Sequence, residues 1–134
     1  MSLAVILAIL ILGFLAYVRL APSDVARWDQ PIDATNSADL AGGAVRVMDA
    51  DEVAFDRVVA AARALPRTER LAGSVEAGRV TFITRSKIFG FPDYTTIEYS
   101  NGVLKMFARL RFGGSDMGVN AERLQGLLGT VEGG

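Results

Sequence analysis

Cysteine and histidine are both absent from this 134-residue chain. Without cysteine no disulfide framework can form, and the redox compartment stays open. Without either residue, zinc sites of the Cys/His type are excluded, as are Ser-His-Asp and Cys-His nucleophile systems. An enzyme built on this sequence would have to work with Asp, Glu, Lys, Arg, Ser, Thr or Tyr, and neither a metal site nor a cofactor is expected. Strong charge of one sign is also lacking. The formal net charge is −1, which argues against a nucleic-acid binder recognised by bulk basicity. No internal repeat and no low-complexity tract is present.

What is there is unevenly placed. Residues 21–56 carry eight acids against two arginines, a balance of −6, and residues 57–134 carry eleven bases against seven acids, a balance of +4. Either the two halves attract each other across the fold, or the basic half faces an acidic partner.

The apolar residues concentrate at the start. Leu3 to Val18 reads LAVILAILILGFLAYV, with no charged side chain, and Arg19 follows. The anchor is expected over 1–21; at ~1.5 Å per residue, a helix from Ser2 to Ala21 spans roughly 30 Å, the thickness of a hydrocarbon core. Leu3, Ile6, Leu10 and Phe14 would face lipid, with Tyr17 and Arg19 at the interface and Trp28 as a second interfacial contact. The alternative is a cleaved secretory signal. The start lacks a basic n-region, the apolar run is long and no A-x-A site follows, so an uncleaved single-pass anchor is expected. The Lys/Arg count around the helix puts the domain in the cytoplasm.

Residues 22–43 (PSDVARWDQPIDATNSADLAGG) break every periodicity and read as a tether or an irregular lead-in along the domain surface. The domain is expected over 44–134. Residues 44–48 form a short strand, and Asp49 with Glu52 has capping-box spacing, with Met48 and Val53 as the staple. Phe55, Val58, Val59, Ala62 and Leu65 then make a helical core stripe that Pro66 ends. Strands follow at 70–76, 79–85, 93–100 and 103–112, and a helix near 119–129 buries Leu124, Leu127 and Leu128.

Asn101-Gly102 is a strong type I′ hairpin signal. It pairs Ser100 with Val103, Tyr99 with Leu104, Glu98 with Lys105, Ile97 with Met106 and Tyr94 with Arg109. That register puts an apolar set on one face and leaves Glu98–Lys105 and Tyr94–Arg109 as cross-strand pairs on the other. The expected architecture is α+β, with an N-terminal transmembrane helix, then β-α-β-β-β-β-α: an antiparallel sheet with two helices on one face.

Two stretches, RSKIFGFPDYTTIEY (85–99) and RLRFGGSDMGVNAERL (109–124), resemble the DUF1499 family, small proteins of unassigned activity. The most specific part is Ser115-Asp116-x-Gly118-x-Asn120-x-x-Arg123. The likeness runs over roughly 31–130, and the lead 19–28 resembles the membrane-proximal segment of tethered members. The resemblance implies a domain outside the cytoplasm, on the periplasmic side of the inner membrane. That opposes the Lys/Arg count; it is preferred, with the cytoplasmic orientation left open.

The residues offer three candidate sites. Arg85, Lys87, Arg109 and Arg111 would converge if strands 79–85 and 103–112 were neighbours, and would suit a phosphate, a lipid head group or an acidic loop; the plainer reading is a solvated face. In the loop 113–120, Ser115, Asp116 or Asn120 would cap the next helix, or its bare N–H groups with Arg111 would hold an anion. Phe89 and Phe91 would plug the core or touch a membrane or partner. A hydrolase would need Asp93 and Asp116 as paired carboxylates. The chain is therefore expected to be a non-catalytic, membrane-tethered accessory protein docking on other subunits of a larger membrane complex, an energy-transducing one being one option. The alternative is a binding domain for a small anion or anionic lipid head group.

Overall fold

The structure, a computed structural model, describes residues 1–132; the last two residues of the domain expected over 44–134 lie outside them. Helix α1 (Leu3–Leu20) starts at Ser2, whose Oγ accepts the Val5 N–H at 3.3 Å. Its mean hydropathy is 2.6, and among the described residues it is the one helix long and apolar enough to cross a membrane, as an anchor or a signal sequence. Nearly all its side chains as far as Tyr17 are exposed, including Leu3, Ile6 and Leu10.

After α1 come α2 (Val25–Trp28), β1 (Ala38–Leu40), β2 (Gly43–Asp49), α3 (Glu52–Arg63), β3 (Thr68–Ser74), β4 (Arg79–Arg85), β5 (Pro92–Ser100), β6 (Val103–Leu110) and α4 (Val119–Glu132). The strands form one antiparallel sheet in the order β1-β2-β6-β5-β4-β3. The chain is thus α+β, and from β2 onward its element order is the expected one. Asn101 and Gly102 take φ of 52° and 80°, as a type I′ turn demands, and every residue pair expected of the hairpin is present.

Two faces follow from that register. Val80, Phe82, Ile97, Leu104, Met106 and Ala108 point to one side, where Phe55, Val58, Val59 and Ala62 of α3 and Leu124, Leu127 and Leu128 of α4 cover them. Each of these Val, Leu, Ile, Phe and Met side chains contributes about 1.5–3 kcal/mol on burial. The opposite face carries Arg79, Thr81, Ile83 and Arg85 on β4, Tyr94, Thr96 and Glu98 on β5, and Lys105, Phe107 and Arg109 on β6. It is this second face that receives residues 22–33.

Three expectations change. Helix α3 begins at Glu52, with Asp51 as its cap (Oδ1 to Ala54 N–H, 2.8 Å), because Asp49 is still paired with Val103 in β2. Val53 is 61 % exposed and forms no staple. Within the segment 22–43, residues 22–33, with α2, run along the second face as a lead-in and not as a free tether, and residues 38–40 form the edge strand β1. Trp28 is not at a membrane interface but 7 % exposed inside the domain, because Tyr94 offers it a flat apolar surface.

Candidate functional site

The charged residues of the second face grip the lead-in. The Trp28 indole stacks on the Tyr94 ring, with centroids 3.9 Å apart and planes at 8°. Beside it, Arg109 donates to the Trp28 carbonyl, to Thr96 Oγ1 (2.8 Å) and to Phe107 O (3.1 Å), and its guanidinium lies 4.6 Å from the Phe107 ring centroid. Burial pushes the Arg109 guanidinium down to about 10, against the pull of Tyr94 and Asp29, so it keeps its charge at neutral pH. Arg111 donates to the Pro22 carbonyl (3.0 Å) and to Tyr94 Oη (3.2 Å), and Lys105 Nζ to the Ile32 carbonyl (3.2 Å). Asp29 Oδ1 accepts from Arg79 Nε at 3.1 Å and Thr81 Oγ1 at 2.8 Å. The acidic and basic halves of the chain do meet, though mainly as arginine and lysine against main-chain carbonyls.

The condition under which Arg85, Lys87, Arg109 and Arg111 would converge, that strands 79–85 and 103–112 be neighbours, is not met. Strand β5 lies between β4 and β6, so Arg109 and Arg111 are turned to the lead-in while Arg85 and Lys87 lie near the end of α1. Arg85 donates to the carbonyls of Val18 (3.3 Å) and Gly90 (3.0 Å), satisfying one of the orphan acceptors at the α1 C-terminus. Arg19 reaches back to the Ile88 carbonyl at 2.7 Å. Val18 is fully buried, Ala21 nearly so, and Phe14 packs 6.3 Å from Phe91 and 6.2 Å from Phe112, with Tyr17 6.0 Å from Phe112. Gly90 takes φ 75° under the Arg19 side chain, where a Cβ would come within 3.1 Å of Arg19 Cγ. The last turns of α1 are thus fused to the domain. Phe91 plugs that junction, whereas Phe89 is 49 % and Ile88 74 % exposed at the loop tip.

The loop before α4 resolves in favour of capping. Asp116 accepts from the Gly118 N–H at 2.9 Å and the Asn120 N–H at 3.1 Å, and Ser115 Oγ accepts from the Met117 N–H at 3.2 Å. The Asp116 carboxylate fills the place an external anion would take, and Arg111 faces away toward Pro22. Burial works to raise the Asp116 carboxyl, but the Gly118 amide, the Asn120 side chain and the Asn120 amide outweigh it and hold it below the ordinary 3.8. Asn120 is fully buried, its Oδ1 accepting from Arg123 and its Nδ2 without a hydrogen bond of good geometry. Arg123 reaches Asp93 Oδ2 at 3.4 Å. Burial raises the Asp93 carboxyl above its ordinary value, against the opposing effect of Arg123. The two carboxylates a hydrolase would use are engaged in a cap and an ion pair.

Sequence reasoning missed Arg67, Arg79, Lys105, Tyr94 and Asp29 as working residues. Their role comes from contact with 22–33 and with the end of α1, which no periodicity announces. The Tyr94–Arg109 pairing was the one available pointer.

A family model described as a protein of unknown function, DUF1499, matches residues 22–131. No curated protein matches the chain. The match begins at Pro22, so it takes in the gripped lead-in as well as the sheet and both packed helices, and the chain belongs to the DUF1499 family.

Proposed function

We propose that this protein is a non-catalytic accessory component of a membrane assembly, with α1 retained as a single-pass anchor and the domain presented in a fixed pose at the bilayer surface. The observation that carries this reading is the fusion of α1 to the domain through Val18, Ala21, Arg19 and Arg85. Proximity to a membrane needs only a flexible tether, whereas docking beside other subunits gains from an anchor and domain that move as one body, since less freedom is lost on association. Retention of α1 is favoured by the same contacts: cleavage near Ala21 would take the Val18 carbonyl from Arg85 and the Arg19 donor from the Ile88 carbonyl. The reading includes the periplasmic side of the inner membrane, as the family resemblance implies.

Gentle solubilisation of native membranes and a native gel test it. A species much larger than the free chain, containing other membrane proteins, is expected. Migration only as a free monomer overturns the docking role. Protease added to spheroplasts should digest the domain; protection would reverse the orientation.

A further inference from the structure

Beside the end of α1 lies a cavity of about 480 Å³, bounded by the second face at β3 and β4 and by the loop 86–90. Its size falls within the roughly 300–1,000 Å³ usual for small-molecule sites. Four cations line it: Arg19, Arg67, Arg85 and Lys87. Glu69 is its one acidic lining residue, and none of the four cations forms an ion pair among the described residues. They are not idle by accident of reach. Arg67 and Arg85 exchange bonds, Arg85 N–H to Arg67 O at 3.0 Å and Arg67 Nε to Arg85 O at 2.9 Å, which fixes the first beside the second. Arg67 holds φ 54° in doing so, a left-handed conformation uncommon for a side chain of this kind. Arg19 and Arg85 each spend guanidinium N–H groups on carbonyls and keep others unbonded.

The position of the cavity says what would fill it. Arg19 follows directly on the apolar run, so with α1 spanning a bilayer the cavity lies at head-group depth. The adjoining loop tip exposes Ile88 and Phe89, and its Phe91 touches Phe14 inside the apolar run, so the tip reaches to the acyl boundary. An apolar tip beside unpaired cations suits a molecule with a phosphate at one end and acyl chains at the other.

We infer that this cavity binds the phosphate of an anionic phospholipid head group, with Arg19, Arg67, Arg85 and Lys87 as its ligands. The inference rests on α1 being embedded, one part of the function proposed above, and not on docking to other subunits.

The full chain in a neutral maltoside detergent would be titrated with dioctanoyl phosphatidylglycerol, dioctanoyl phosphatidylcholine and inorganic phosphate, with native mass spectrometry counting adducts. One phosphatidylglycerol adduct is expected, with phosphatidylcholine and inorganic phosphate at least about ten-fold weaker. The double variant Arg67→Gln/Lys87→Gln should weaken that adduct about ten-fold. Arg63→Gln, an equal loss of charge per site on the exposed end of α3, should leave it unchanged. Unaltered Trp28 fluorescence would show the variants folded. Equal binding of both lipids, or indifference to the double variant, overturns the site. Inorganic phosphate binding as tightly as the anionic lipid overturns the lipid as its source. Alkaline carbonate extraction of native membranes separates the two readings: release of the protein refutes the embedded anchor, while the detergent titration still reports on the cavity.

Discussion

Arg109 shows how much one side chain organises here. It is largely buried, yet it is worth its desolvation because its planar fork meets three oxygens at once and lies beside two aromatic rings. Arg109→Ala would leave those acceptors without that donor and open space beside Trp28, for an expected loss of about 3 kcal/mol in denaturant unfolding. Arg109→Lys should still cost ~1–2 kcal/mol, because a point charge cannot span the three acceptors. Equal stability of the lysine variant would show that charge alone matters there. The pairing of Arg109 with Tyr94 was legible from the hairpin register. Its grip on the Trp28 carbonyl was not, because a main-chain acceptor leaves no mark in a side-chain pattern.

Among the elements, those with strong periodicity or turn chemistry were readable. The α3 stripe and the Asn101-Gly102 hairpin stand where local pattern and global packing agree. Strand β1 was not readable, since all three of its residues are exposed and it is held by an ion pair, Asp39 to Arg46 at 2.6 Å, and by Ser37 Oγ at the Val47 N–H. The start of α3 slipped by two residues because three acids crowd 49–52 and only the strand pairing decides which one caps. The α4 start offers a pH test. The Asp116 carboxyl is held below its ordinary value in the fold, so its contribution is complete above about pH 4 and is lost as pH falls through the depressed value. Asp116→Ala should therefore cost ~1 kcal/mol at neutral pH, and the gap to the parent protein should close in acid. A gap that is constant with pH would mean that the carboxylate charge plays no part in the cap. The buried Asp93 has the opposite sign: its raised value makes the fold favour the protonated form, so its titration lowers stability as pH rises through it.

At the scale of the whole molecule, three parts meet at one end: the apolar helix α1, the end of β4 at Arg85 and the aromatic junction at Phe14, Phe91 and Phe112. The apolar helix and the domain were each legible, but their fusion was not, because the broken pattern of 22–43 fits a free tether as well as a lead-in along the domain surface. The sole tryptophan provides a direct check. Buried against Tyr94 and not at an interface, Trp28 should be insensitive to brominated lipids in reconstituted vesicles; strong quenching would return it to the bilayer surface. The grip on the lead-in also bears on which substitutions the chain can absorb. Arg111 and Lys105 hold carbonyl oxygens, and every residue type supplies one. Exposed lead-in positions such as Pro22 can therefore drift in identity while the strap stays fastened. Its constraint is stored in the arginines and lysine of the sheet, so variation in the two halves of the contact should be lopsided: permissive along the strap, strict in the hand that holds it.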